Sequence, residues 1–512
     1  MPIWRPNGFS RFRFRVIFIG PENIIRPKGL KMIKFRPVVF VTGILLSIMA
    51  IAMIIPAIVD AAAGHPDWRV FATSSALSLS VGISMVLATN ATWTAFSLRE
   101  AFVITNLAWL TIAIAGAVPL AFSELELSIT DAFFESMSGI TTTGSTIIVG
   151  LDETPPGILL WRGILQWLGG IGIIVMAVAI LPILQVGGMQ MFRVEAFEAD
   201  KVLPKAAQIA AAIAIFYVFI TIGAAIILSL LGMSGFDAVV HAMTSIATGG
   251  FSTYDASIGH FEDPKIHWAI SGFMVLGSIP FILYLRVIRG DFKSLIKDSQ
   301  VKTFLIILGL SIVLITYWLV ADNGYSFATA LRLSAFNVIS LMTGSGFTTA
   351  DYGLWGGFAL ALLFILMFVG GCAGSTTCGI KIFRLQVLYS TAEAQLNRLI
   401  QPNGIFFPTY NGNPIPESVS DSVMSFFFLF AVSFVLLAAG LGFSGLDFIT
   451  AISGAATAIA NVGPGLGETI GPAGNFQPLP DSAKWLMSAG MLLGRLELFT
   501  IMVMILPRFW RG

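Results

Sequence analysis

The chain has 512 residues, of which 56% are hydrophobic and 11% charged, against about 25% charged in soluble domains. It has too few polar residues to cover a core of its own size, which excludes a soluble globular protein and, more firmly, a disordered one. Lysine and arginine number 29, aspartate and glutamate 28, for a net charge of +1. This balance leaves no nucleic-acid footprint, and two cysteines exclude a disulfide framework.

Along the chain, residues 1–36 form a basic segment that includes Arg5, Arg11, Arg13 and Arg15. No small-residue cleavage site follows a short apolar core, so a removed signal peptide is not expected. About 20 apolar residues cross a bilayer. Charge-free runs of about that length predict the spans 37–59, 70–98, 101–123, 163–192, 206–236, 266–285, 303–320, 352–380 and 422–446, and 485–507, apolar except for Arg495 and Glu497, makes the tenth. Arg193, Lys201 and Lys205, then Arg286, Arg289 and Lys293, then Lys381, Arg384 and Arg398, and finally Arg508 and Arg511 share one side if the spans alternate. The positive-inside rule makes that side the cytoplasm, with both termini on it. The opposite loops carry Glu124, Asp152, Asp255, Asp322, Asp351 and Glu468.

Segment 131–140 lies between two spans, opens with a helix N-cap signal at Asp131, and continues with helix-compatible residues. Such a helix covers about half of the hydrocarbon thickness. Its neighbours require it to begin and end on one face, so it dips in and returns. The loop that follows belongs to a series of four: Ser138 to Gly144, Thr244 to Gly250, Ser340 to Gly346 and Thr457 to Gly463. Each opens with a hydroxyl residue and reaches glycine six places later. One such string reads as a helix-packing contact; four, at matching places, read as the lining of one pore. The expected fold is therefore an all-α polytopic membrane protein: four span–pore-helix–span repeats around one pore plus two extra N-terminal transmembrane helices. The expected boundaries are 37–98 for the extra spans and 99–192, 193–290, 291–400 and 401–512 for the repeats.

Glycine tolerates positive φ, which lets successive carbonyls turn toward an axis, and rings of carbonyls replace the water around a cation. The candidate filter is Thr142, Thr143 and Gly144; Thr248, Gly249 and Gly250; Gly344, Ser345 and Gly346; and Asn461, Val462 and Gly463. None is a carboxylate, so neutral oxygens suit a monovalent ion better than Ca²⁺ or Mg²⁺. Gly370, Gly371, Gly374 and Gly379, around Ser375 and Thr376, should break a helix on the cytoplasmic side of the filter. A gate loop and a kinked packing helix both account for them. Arg495, within the last span, either raises a barrier to cations and holds that loop or snorkels to a carboxylate elsewhere.

These strings, together with the Gly-Arg-Leu-Glu stretch at 494–497, resemble the Trk/Ktr/HKT superfamily of potassium transporters, most closely its bacterial TrkH/TrkG branch, over residues 36–508. The resemblance implies that potassium is the transported ion, since glycine occupies all four filters, whereas the sodium-type plant members have serine in the first. Val462 and Pro464 make the fourth loop depart from the others. The resemblance also implies that the glycine loop is a gate and that Arg495 lies below the filter. It further implies a homodimer in a bacterial inner membrane and a separate ring of TrkA-like nucleotide-binding subunits. No organic cofactor is expected on the chain, and no enzyme activity. Sodium or unselective transport, or proton-coupled potassium symport, are the alternative readings; an Asp, Glu or His relay within the spans is not evident. His260 and His267 are expected to be exposed, His241 to pack behind the filter, and Cys372 and Cys378 to be small apolar fillers.

Overall fold

A computed structural model describes residues 33–89, 97–179 and 202–511. Most of the basic N-terminal segment and the loop bearing Arg193 and Lys201 lie outside the described residues. A hairpin of α1 (Phe35–Ala63) and α2 (Trp68–Thr89) comes first, turned at left-handed Gly64. The chain continues through α3 (Leu98–Ala121), α4 (Ile129–Ile140), α5 (Pro156–Ala179), α6 (Val202–Leu230), α7 (Gly235–Ile246), α8 (Pro264–Ser278) and α9 (Phe281–Ile288). Then follow α10 (Ser299–Ala321), α11 (Phe327–Thr343), α12 (Gly357–Phe368), α13 (Ile382–Ile400), α14 (Glu417–Phe443), α15 (Phe448–Ala460), α16 (Asp481–Arg495) and α17 (Phe499–Ile505). Among the described residues the one sheet is a minimal hairpin, Thr409–Tyr410 with Asn413–Pro414.

Seven of these helices are long and apolar enough to cross a membrane, and two further pairs pass the same test only when taken together. The ten continuous runs expected from hydropathy therefore need revising at three places. The run 266–285 is bent by 94° between α8 and α9, where Pro280 lacks the N–H that would continue the helix. The run 485–507 is bent by 114° between α16 and α17, where Glu497 and Leu498 adopt positive φ of 63° and 45°. The run 352–380 contains only the 12-residue α12, followed by a non-helical loop through the glycines at 370–379.

The short helices α4, α7, α11 and α15 share one construction. Ser128, Ser234 and Ser326 accept the backbone N–H of the residue three places on, and Asp447 accepts those of Ile449 and Thr450. The first of these helices thus starts two residues before the expected cap, Asp131. A surface helix buries one stripe, whereas one enclosed by protein buries every face. All residues of Ala132–Ile140 are buried, as are all of Leu333–Thr343. Among the longer helices, α5 has 72% of its apolar window buried, against 28% in α2, α6 and α14, which turn apolar side chains outward.

Candidate ion pathway

The four glycine turns that follow α4, α7, α11 and α15 repeat one backbone pattern. Positive φ occurs at the glycines (Gly144 87°, Gly250 80°, Gly346 77°, Gly463 111°) and again two residues earlier, at Thr142, Thr248, Gly344 and Asn461. The turns meet in cyclic order. A Cβ at Gly144 would stand 2.3 Å from the carbonyl oxygen of Gly249, and one at Gly250 would stand 1.7 Å from that of Ser345. One at Gly346 would stand 2.2 Å from that of Val462, and one at Gly463 would stand 3.1 Å from that of Thr143. Each glycine thus faces the carbonyl just before the glycine of the next turn, and the fourth closes onto the first. Any side chain at the first three would strike a neighbouring turn, so close approach as well as φ demands glycine.

The closing contact is also the loosest, and polar bonds supplement it. Ser145 Oγ and Thr457 Oγ1 both donate to Gly463 O (2.7 and 2.8 Å), while Asn461 Nδ2 donates to Thr143 Oγ1 (2.8 Å) and Met491 O (2.9 Å). All of the candidate filter residues lie in this ring. Gly144, Gly250 and Gly346 are partly exposed there, whereas Gly463 is buried. Above the ring is a cavity whose lining includes Gly250, Gly346, Pro464, Arg162, Thr348 and Asp255.

The glycine loop after α12 runs directly beneath. Its ends are pinned by a parallel bridge between Val369 and Ile380, with Gly370 N–H donating to Ile380 O (3.0 Å). Its tip is tied to α8, with Cys372 N–H on Ser278 O and Thr376 N–H on Gly277 O (both 3.1 Å). Thr248 Oγ1 of the second turn donates to Thr376 Oγ1 (3.1 Å), which itself donates to Gly277 O (2.9 Å). Cys378 Sγ lies 3.9 Å from Thr142 Oγ1, and a Cβ at Gly344 would be 3.9 Å from Cys378 N. The loop therefore touches three of the four turns. A second cavity, below it, is lined by Thr377, Cys378, Lys381, Arg384, Arg495 and Glu497, among others.

Arg495 closes α16, is 1% exposed and stands beside this loop. Its Nη1 donates to Thr376 O (3.2 Å) and Cys378 Sγ (2.6 Å), and its Nη2 to Gly169 O (2.8 Å). Glu497 does not neutralise it. The break in the helix turns Glu497 to Arg384 of α13, with which it forms a close ion pair. Among the described residues no carboxylate lies within ion-pair distance of Arg495.

Sequence reasoning missed several buried polar groups. Glu135 of α4 pairs with Arg162 of α5 at 2.8 Å, both essentially inaccessible. Gln166 Nε2 donates to Gly249 O (2.6 Å), and its Oε1 accepts Phe251 N–H (3.0 Å). Asp60, treated as the end of a span, lies inside α1, wholly buried, and accepts Gly157 N–H at 2.6 Å. Acidic groups are thus buried beside the spans, although none had been apparent. His241 packs behind the ring as expected, between Asp237 O and Ser252 Oγ. His260 is exposed, but His267 is buried at 5% exposure against Phe261 O, because α8 turns it inward. Cys372 is enclosed as a filler, whereas Cys378 occupies the junction of loop, ring and Arg495.

These features define a multi-pass membrane protein in which four similar turns, each after a short buried helix, meet in a ring, with a loop bound against them. The family model described as TrkH, cation transport protein, matches residues 68–511, and the chain belongs to that family. It is 47% identical over 480 residues to the Trk system potassium uptake protein TrkI of Halomonas elongata, covering 93% of this chain and 97% of that one. It is 38% identical over 483 residues to the Trk system potassium uptake protein TrkH of Escherichia coli K12, covering 93% and 99%. The crystal structure of the potassium transporter TrkH from Vibrio parahaemolyticus superposes with a TM-score of 0.87 at 36% identity, covering 94% of this chain and all of that one.

Proposed function

We propose that this chain is the pore-forming subunit of a potassium uptake system in a bacterial inner membrane, with both termini in the cytoplasm. The observation that carries the reading is the cyclic approach of each ring glycine to the next turn's carbonyl. Thr142, Thr143 and Gly144, with their counterparts at 248–250, 344–346 and 461–463, supply the neutral oxygens that stand in for potassium's lost water. The four pore helices end at the ring, and their C-terminal dipole ends favour a cation there. Membrane potential drives entry at about 2.3 kcal/mol per charge per 100 mV.

The loop that includes Gly370, Gly371, Gly374, Ser375, Thr376 and Gly379 is the gate. Its position between the two cavities supports this role, as does its attachment to Arg495, whose charge opposes a cation leaving the ring. Control comes from a separate TrkA-like nucleotide-binding subunit at the cytoplasmic face, and the pore chain acts as a homodimer. The relatives named as parts of a Trk system support a multi-component assembly.

The test is ion uptake by purified protein in vesicles. Wild type is expected to take up potassium in preference to sodium, and Gly144→Ser to lose much of that preference. Equal passage of both ions through wild type overturns the proposal.

A further inference from the structure

The residue nine places before each ring glycine is Glu135, His241, Asn337 or Gly454. The first three are completely buried, and each bonds the limb of chain that leaves its own turn. Glu135 accepts Thr146 Oγ1 (3.0 Å) and Ile147 N–H (2.9 Å), both just past Gly144. His241 Nδ1 faces a carbonyl, Asp237 O at 2.8 Å, and must donate to it. Its Nε2 therefore accepts from Ser252 Oγ at 2.9 Å, just past Gly250. Asn337 Nδ2 donates to Thr349 Oγ1 at 3.0 Å, just past Gly346. The fourth turn has Gly454 in that slot and uses its neighbour, Ser453 Oγ, which accepts Leu466 N–H at 2.9 Å.

Among the described residues only the first of these clamps carries charge, and an arginine extends it by hydrogen bonds to the second turn. Arg162 Nε donates to Glu135 Oε1 (2.8 Å), Nη2 to Thr146 Oγ1 (3.1 Å) and Nη1 to Ser252 O (2.9 Å). Its guanidinium also stacks 4.1 Å from the Phe251 ring centroid. One planar cation thus fixes the outgoing limb of the first turn at a set distance from that of the second. Lysine, a point donor, could not hold both.

We propose that Arg162, held by Glu135, is a positioning residue for ion selection: it fixes the separation of the first two turns and so sets preference for potassium over the smaller sodium ion. The proposal rests on the reading of the ring as the filter. A cation filter discriminates through the spacing and stiffness of its oxygens. Loosening one side of the ring lets it close around a smaller ion while still passing the larger.

The experiment compares potassium and sodium uptake by wild type, Arg162→Lys, Glu135→Gln and Thr146→Val in vesicles, with thermal midpoints measured in parallel. Arg162→Lys keeps the charge pair, and Thr146→Val removes the hydroxyl shared by Glu135, Arg162 and the Ile148 N–H, so the latter tests the proposal even if the charged variants do not fold. Each folded variant is expected to transport potassium with its potassium-to-sodium ratio lowered about tenfold. Asp60→Asn, a buried change away from the ring, is expected to keep the wild-type ratio. Selective wild type with unaltered ratios in Arg162→Lys and Thr146→Val overturns the strut alone and leaves these residues a structural role. Wild type that passes both ions equally overturns the potassium reading and the strut with it.

Discussion

At the scale of single residues, Arg495 is a buried cation with no carboxylate in ion-pair reach among the described residues. A buried guanidinium without a carboxylate is costly, and here Nη1 and Nη2 are met by Thr376 O, the Cys378 sulfur and Gly169 O, while Nε has no partner among the described residues. Two of these three partners belong to the loop beneath the ring, so removing the side chain removes one tie on the loop and, on the proposed reading, the positive barrier. Arg495→Gln is therefore expected to raise potassium uptake in the absence of any regulatory subunit, measured as tracer influx into vesicles. Unchanged influx removes Arg495 from the gate. The Glu497–Arg384 pair makes a separate prediction. Removing one partner of a buried pair costs about 3–5 kcal/mol, so Glu497→Gln should lower the thermal midpoint sharply. Exchanging both for apolar residues of similar size should recover much of the loss.

At the scale of elements, the pore helices hold their position through their caps. Asp447 accepts from Ile449 and Thr450 at the start of α15, and hydrogen bonding from Thr450 holds its carboxyl below the ordinary carboxylate range. A depressed value means that the ionised cap stabilises the folded state above the ordinary carboxylate pKa of about 3.9, and that this contribution disappears as pH falls through the depressed value. Asp447→Ala should cost about 1 kcal/mol at neutral pH, with the difference from wild type shrinking below about pH 4. A deficit independent of pH would assign the effect to packing.

The elements also explain what the sequence could and could not reveal. The four turns were legible because each needs glycine at a fixed offset, whatever the rest of the repeat contains, although the upstream hydroxyl bonds its turn only in the third and fourth, through Ser340 and Thr457. The break at 370–379 was legible for the same reason, since clustered glycines cannot sustain a helix. The bends at Pro280 and at Glu497–Leu498 were not, because hydropathy measures apolar content and is blind to direction. Glu135 and Arg162 escaped notice because they lie 27 positions apart and neither has a neighbour in sequence that suggests a partner. Cys378 was read as a filler because its meaning comes from Arg495, 117 positions away.

At the scale of the whole molecule, the arrangement is a vertical stack: an outer cavity, the glycine ring, the glycine loop, and an inner cavity rich in basic side chains. On the proposed reading control of flow falls to the loop, which touches the turns through Thr376 and Cys378. Polar bonds tie the loop to α8, the second turn and Arg495, and such bonds can be exchanged for bonds to water at modest net cost. If the loop must leave the ring for ions to pass, tying it there should stop flow. Thr248 and Thr376 offer the means, since their hydroxyls are 3.1 Å apart across that junction. In a background with Cys372→Ala and Cys378→Ser, the pair Thr248→Cys and Thr376→Cys should bind Cd²⁺ between the two thiolates, the soft ligands such a metal prefers. Potassium influx should then fall on adding Cd²⁺ and return on chelation, with either single variant unaffected. Influx that continues with the bridge formed would mean that ions pass with the loop in place, and the gate would have to be sought at the inner cavity instead.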